Sequence, residues 1–154
     1  MNMIYLVIFV GVFLLDFAIK RKIEEERTFG QEEKKAGGWI LVRKLHNYGI
    51  AGGGLKQYGL WIKRITGLLL GGMGIHFFVL LFRKGNSGLK LAYSLILGGG
   101  LSNFVDRCTK GYVTDYFSFS VPWKKLKKLV FNLSDMFIML GSLIMCLSQF
   151  KSKE

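Results

Sequence analysis

Proline and cysteine are nearly missing from this chain of 154 residues, with 1 and 2 copies. Cys108 and Cys146 make neither a disulfide framework nor a zinc site. Cys146 reads as a residue of an apolar helix, and Cys108 as a small loop residue. Histidine is as scarce, so neither a serine–histidine nor a cysteine–histidine nucleophile competes well. His76 falls deep in an apolar block, roughly 16 Å along a helix from its polar end, and reads as a packed histidine. His46 has no obvious thiol or metal partner. Nucleic-acid fold signatures, internal repeats and low-complexity segments are all absent. The GGGLK run at 52–56 lacks the full Walker spacing and its Ser/Thr. It reads as a mobile loop.

Acids are also few: 10 against 22 lysines and arginines, for a net charge of +12. The basic residues flank apolar blocks, which suits anionic lipid head groups better than nucleic acid. An apolar fraction of 51% decides little, because soluble chains come close to it. The distribution decides, since the apolar residues fall into four blocks with the charges between them.

Those blocks predict helices at about 3–19, 65–82, 88–105 and 129–150. The first has no basic n-region and no small-x-small cleavage site after it, so it reads as a retained helix, not a signal peptide. The expected fold is an all-α membrane protein: four transmembrane helices in one domain, 1–154, with a small strand-and-loop cap. Gly98, Gly99 and Gly100 would let helices pack closely. The mixed charges at 22–35 read as a solvated helix or turn, and residues 39–45 as a short strand. A second strand is expected at 112–120, ended by Pro122. Trp123 with Lys124, Lys125, Lys127 and Lys128 reads as an interfacial anchor.

Four helices joined by turns alternate in direction. The ends of the first and third therefore share a membrane face with the starts of the second and fourth. That rule gathers Asp16, Lys20, Asn47, Asp106, Arg107, Asp115, Asn132 and Asp135 on one side. Asp16 and Lys20, spaced i, i+4 with the acid first, share a helix face. They read either as site residues or as a helix-end pair with Lys20 snorkelling to the interface. Ionisable groups at membrane depth are costly and mark function by default. Two carboxylates brought close cannot both ionise cheaply, so one keeps a proton near neutral pH. The charged one can activate water while the protonated one polarises a carbonyl.

Three ordered boxes carry a family resemblance: Ser102-Asn103-Phe104-Val105-Asp106-Arg107, Gly111-Tyr112-Val113-Thr114-Asp115-Tyr116 and Phe131-Asn132-Leu133-Ser134-Asp135. They resemble the Gly-Asn-x-x-Asp-Arg, Gly-x-Val-x-Asp-Phe and Phe-Asn-x-Ala-Asp boxes of signal peptidase II, the lipoprotein signal peptidase of bacterial membranes. Leu15-Asp16-Phe17-Ala18-Ile19-Lys20 is a weakened form of its Leu-Asp-Gln-x-x-Lys box, and Asn47 with Gly49 matches its Asn-x-Gly element. The departures are Phe17 for glutamine, Ser102 for glycine, Ser134 for alanine and the loss of Ala-Phe after Gly49.

The resemblance implies an aspartic endopeptidase with Asp115 and Asp135 as the catalytic pair. Asn103, Asp106, Arg107, Asn132, Asp16, Lys20, Asn47 and Gly49 would support them. It implies diacylglyceryl-modified prolipoproteins as substrates, cut before the lipid-bearing cysteine, with no metal or nucleotide. A monomer in the inner membrane, with its active site on the extracytoplasmic face, completes the expectation. Charge argues the other way on orientation: residues 20–64 carry eleven Lys/Arg and 106–128 six, against three in the turn and two in the tail of the opposite side. The positive-inside rule would put the long loops in the cytoplasm. Two rival readings are a silent paralogue that binds lipidated peptides and a small membrane scaffold with buried structural acids. In a scaffold, Asp135 should pair with a fixed cation such as Arg107, far from Asp115.

Overall fold

The computed structural model describes residues 2–50, 54–121 and 129–151. Four long helices dominate it: α1 Met3–Glu26, α2 Gly59–Phe82, α3 Ser87–Thr109 and α4 Leu133–Lys151. Three strands lie between them: β1 Glu32–Lys35 and β2 Ile40–Asn47 after α1, and β3 Val113–Phe119 after α3. They form one antiparallel sheet in the order β1-β2-β3. The protein is therefore mostly helical with a small sheet as its cap.

Helix α3 is the centre of the bundle, and α4, α1 and α2 each pack on it. The glycine run makes this possible. A Cβ on Gly98 would lie 2.7 Å from the Phe9 carbonyl oxygen, and one on Gly99 would lie 2.6 Å from that of Ser134. One on Gly100 would meet Leu70 at 2.7 Å. Three successive glycines thus face three different helices. We expect Gly99→Ala to destabilise the protein by about 1–3 kcal/mol, because the obstacle is backbone. Gly72→Ala should be neutral or slightly stabilising, since nothing lies within 4 Å of its Cβ. Thermal unfolding of the two variants in one detergent checks the contrast.

The apolar outer surface fits lipid. Leu68, Ile75 and Phe78 on α2 point outward, and a helix apolar on all sides is a buried or membrane helix. Among the described residues, two segments are long and apolar enough to cross a membrane, Met3–Glu26 and Lys56–Phe82. The apolar stretch Leu133–Ser148 is shorter.

Several boundaries differ from the sequence reading. Helix α1 continues past residue 19 to Glu26, carried by i, i+4 ion pairs Arg21–Glu25 at 2.8 Å and Lys22–Glu26 at 3.9 Å. The rest of that charged run holds β1, whose Glu32 pairs in register with Arg43 of β2 and accepts its hydrogen bond at 3.0 Å. Strand β2 runs on to Asn47 because β3 pairs with it that far. A 3-10 turn at Lys56–Tyr58 feeds α2, which therefore starts at Gly59. Helix α3 extends to Thr109 and takes in Asp106, Arg107 and Cys108, so Cys108 is a helix residue.

Helix α4 starts at Leu133, not 129, because Phe131 pairs with β3 in an isolated bridge. Its N–H donates to the Phe117 carbonyl at 2.7 Å, and its own carbonyl accepts from Tyr116 and Phe117. His76 lies on an exposed face of α2 and bonds the Tyr93 hydroxyl at 2.7 Å, so it is not a packed core residue. The expected stop at Pro122, the Trp123 anchor with its lysines, and Gly52 and Gly53 of the glycine loop lie outside the described residues.

Candidate active site

The start of α4 fixes Asp135. Asn132 caps the helix: its Oδ1 accepts the Asp135 N–H at 2.9 Å. Asp135 reaches back, its Oδ2 accepting the Asn132 N–H at 3.1 Å. This is a reciprocal capping box with an aspartate at the third position, a good place for a negative charge beside the helix N-terminus. The other oxygen, Oδ1, accepts the Asn103 amide at 3.0 Å.

Asp115 comes from the middle of β3, where alternate side chains face opposite ways. Its Oδ2 accepts from Asn47 Nδ2 at 3.0 Å, and its Oδ1 from Asn132 Nδ2 at 2.8 Å. Asn132, fully buried, also donates to Asn103 Oδ1 at 3.1 Å. One asparagine thus holds Asp135 through its backbone and carbonyl, and Asp115 through its amide. Both acids line a single cavity of about 230 Å³ with Asn47, Asn103 and Arg107. Val130, Ile138 and Met139 form an apolar wall of the same cavity. Burial, and then the nearby Asp135 carboxylate, push the Asp115 carboxyl up to about 7. The Asn47 and Asn132 amides pull it partly back.

The neighbours of Asp115 on β3 face a second cluster. Tyr116 donates its hydroxyl to Asp16 Oδ1 at 2.9 Å. Burial and the Asp16 charge hold that phenol well above its ordinary value, so it stays a donor. Ser102 and Ser134 donate their hydroxyls to Asp16 Oδ2 at 2.6 and 2.5 Å, and the Ser134 N–H donates to Oδ1 at 3.2 Å. Lys20 lies 2.8 Å from Asp16 and 3.2 Å from Asp106, with all three side chains no more than 1% exposed. Lys20 does not snorkel, because this buried cluster supplies its counter-charges. Its ammonium also donates to Asn103 Oδ1 at 2.7 Å. That bond forces the Asn103 amide nitrogen toward Asp135.

The residues singled out in the sequence fall into two groups. Asn47, Asn103, Arg107, Asp115 and Asp135 line the cavity, and the buried Asn132 bonds both acids. Asp16, Lys20 and Asp106 lie behind the cavity: Lys20 bonds Asn103, Asp16 holds Ser134 and Tyr116 beside the two acids, and Asp106 holds the Thr114 backbone. Asp106 takes the Thr114 N–H at 3.2 Å and Lys110 at 2.9 Å, tying the end of α3 to β3. Gly49 contributes backbone: its N–H donates to Asn47 Oδ1 and its carbonyl accepts from Arg107 at 3.0 Å. Among the described residues, neither Asp115 nor Asp135 forms an ion pair, so the Asp135–Arg107 pair expected of a scaffold is not there.

Ser102, Ser134 and Tyr116 each sit inside a box, but nothing local in the sequence marks them as partners of Asp16. The Asn-x-x-Asp spacing of a capping box was legible at 132–135. His46 serves the cap: it contacts Glu24 at 2.9 Å and stacks on Tyr112. Among the described residues no group of three or more His, Cys, Asp or Glu side chains is placed to hold a metal ion.

This arrangement has close relatives. A profile of the signal peptidase (SPase) II family matches residues 8–151. A lipoprotein signal peptidase of Clostridioides difficile (strain 630) is 36% identical over 94 residues, 61% of this chain and 60% of that protein. The chain thus aligns with about three-fifths of that relative's length. A lipoprotein signal peptidase of Aeromonas hydrophila is 30% identical over 151 residues, 94% of this chain and 87% of its own. The fold matches a bacterial membrane enzyme solved by the in meso method at 2.3 Å resolution, with TM-score 0.83 and 22% identity over 97% of this chain and 89% of that one. With two apolar helices of spanning length and a family profile over nearly its whole length, this membrane protein belongs to the signal peptidase II family.

Proposed function

We propose that the chain is a membrane aspartic endopeptidase that removes signal peptides from lipid-modified prolipoproteins, cutting before the diacylglyceryl cysteine. The observation that carries this reading is the pair of carboxylates on one cavity, both held by Asn132. Asp115, pushed up to about 7, keeps the shared proton and polarises the scissile carbonyl. Asp135 takes a proton from water as the water attacks that carbon. The tetrahedral intermediate collapses as Asp135 passes the water-derived proton to the peptide nitrogen, the C–N bond breaks, and the proton on the carbonyl oxygen returns to Asp115. The three asparagines hold the acids, while Arg107 pins the Gly49 carbonyl at the side of the cavity.

The apolar wall of Val130, Ile138 and Met139 would face the acyl chains of the substrate, which stay in the bilayer. In this reading all four helices of a single domain cross the inner membrane, and the cavity opens on the extracytoplasmic face. The protein acts as a monomer. Cleavage of a lipidated precursor by purified protein in detergent tests the reading, and the absence of a product ending before the lipidated cysteine would refute it.

The same assay reports pH dependence. Below about pH 7 Asp115 holds its proton; as the pH rises through about 7 the proton leaves and the acid is lost. Turnover should therefore fall on the alkaline side with a midpoint near 7. The Asn47 amide favours the ionised form, so Asn47→Ala should move that midpoint upward. A profile with no alkaline limb between pH 6 and about 9 would remove Asp115 as the acid.

A further inference from the structure

The opposite end of the bundle holds a second cavity, about 440 Å³, where the start of α1 meets the turn between α2 and α3. Lys90 at this end is sixteen residues, or roughly 24 Å along α3, from Asp106. Arg83, Lys84 and Lys90 line the cavity, and no acid does. Lys90 is 2% exposed. Its ammonium meets only neutral groups: the Arg83 carbonyl at 2.6 Å, Asn2 Oδ1 at 3.2 Å and the face of the Tyr5 ring. Among the described residues none of these three cations has a carboxylate within ion-pair distance. Ser87 also lines the cavity and opens α3, whose cap residue Asn86 makes no side-chain capping bond. A buried ammonium beside an uncapped helix N-terminus favours an anion.

A groove adjoins this cavity on its apolar side: the Asn2 amide of the cavity donates to the carbonyl of Leu81, which lines the groove. At the head of α1, the cap residue Asn2 and Tyr5 line the basic cavity, while Leu6 and Phe9 line the groove. The spacing i, i+3, i+4, i+7 makes these one stripe. On α2 the stripe runs from Gly74 through Phe78 to Phe82, beside the cavity. That span is roughly 12 Å long. The groove, about 250 Å³ and lined by apolar side chains alone, opens between α1 and α2, which pack on α3 but scarcely on each other.

We propose that this end of the protein binds one anionic phospholipid. Its phosphate sits over Arg83, Lys84 and Lys90, and one acyl chain lies in the groove between α1 and α2. A free phosphate would satisfy the cations but leave the groove unfilled. This site is independent of the peptidase reading and lies away from its cavity.

Native mass spectrometry of the purified protein, titrated with phosphatidylglycerol or phosphatidylcholine of equal chain length, tests the proposal. One phosphatidylglycerol should be retained at about tenfold lower concentration than phosphatidylcholine, by headgroup electrostatics. The double variant Arg83→Gln/Lys84→Gln, with both side chains exposed and the Arg83 carbonyl kept, should erase that preference. Gly74→Leu should lower phosphatidylglycerol retention by filling the groove, since an added Cβ meets nothing within 4 Å. Equal retention of the two lipids overturns the proposal, as does a preference that survives the double variant or a silent Gly74→Leu. Inorganic phosphate should not bind at matched concentration. If it binds as tightly as phosphatidylglycerol, the ligand is a free anion and the lipid assignment fails.

Discussion

Asp115→Asn and Asp135→Asn should each lower precursor cleavage by ~10³-fold or more while leaving the protein folded, the scale of a lost general acid or base. Asparagine keeps the shape but only one acceptor oxygen, so at each position one of the two accepted bonds survives and the other is lost. What is lost is the ability to hold or take a proton. The two variants should differ in stability. Asp135 closes the capping box, so losing one of its two accepted bonds costs about 0.5–1 kcal/mol. Asp115 is a buried acid held above its ordinary value, so its neutralisation should be close to neutral or stabilising at pH 8. The sign follows from its raised value: above about 7 the native state must carry a buried charge that the unfolded chain carries in water. Cleavage rates and unfolding midpoints on the same samples check both halves. Wild-type turnover in either variant would end the aspartic mechanism.

Lys20→Met should destabilise the protein by about 3–5 kcal/mol, the cost of breaking a buried ion pair from one side. Lys20 is the cation between Asp16 and Asp106. Asp106 would still have Lys110 at 2.9 Å, so Asp16 is the acid left without a counter-ion. The double variant Lys20→Met/Asp16→Asn should therefore recover a large part of the loss. Activity should not recover with it. Lys20 also sets the Asn103 amide, and both variants lack that bond. Denaturant unfolding and cleavage rates across this pair separate stability from alignment. Full recovery of both would reduce Lys20 to a counter-ion.

The three boxes were legible because each is local, and a helix-then-strand connection must bring their ends to one side. What the residues could not disclose was supplied from far along the chain. The i, i+4 spacing of Asp16 and Lys20 put them on one face, but whether that face meets water or protein is decided by Ser102, Tyr116 and Ser134. Strand β1 has the sequence EEKK, with no apolar alternation; only pairing with β2 makes it a strand. The apolar run before Asn132 looked like helix, yet Phe131 is claimed by Phe117 across the sheet. The two serines that depart from the family boxes are similarly explained. Both point at Asp16, where each adds a hydroxyl donor that glycine or alanine lacks.

The donors around Asp16 are spread from residue 20 to residue 134, so they emerge from the ribosome at different times. A nascent chain that stops short of Ser134 leaves its first helix holding a carboxylate with two of those donors absent. Such a fragment is marked as unfinished by its own unsatisfied polarity. The last helix to arrive is the one that completes the shell around that carboxylate.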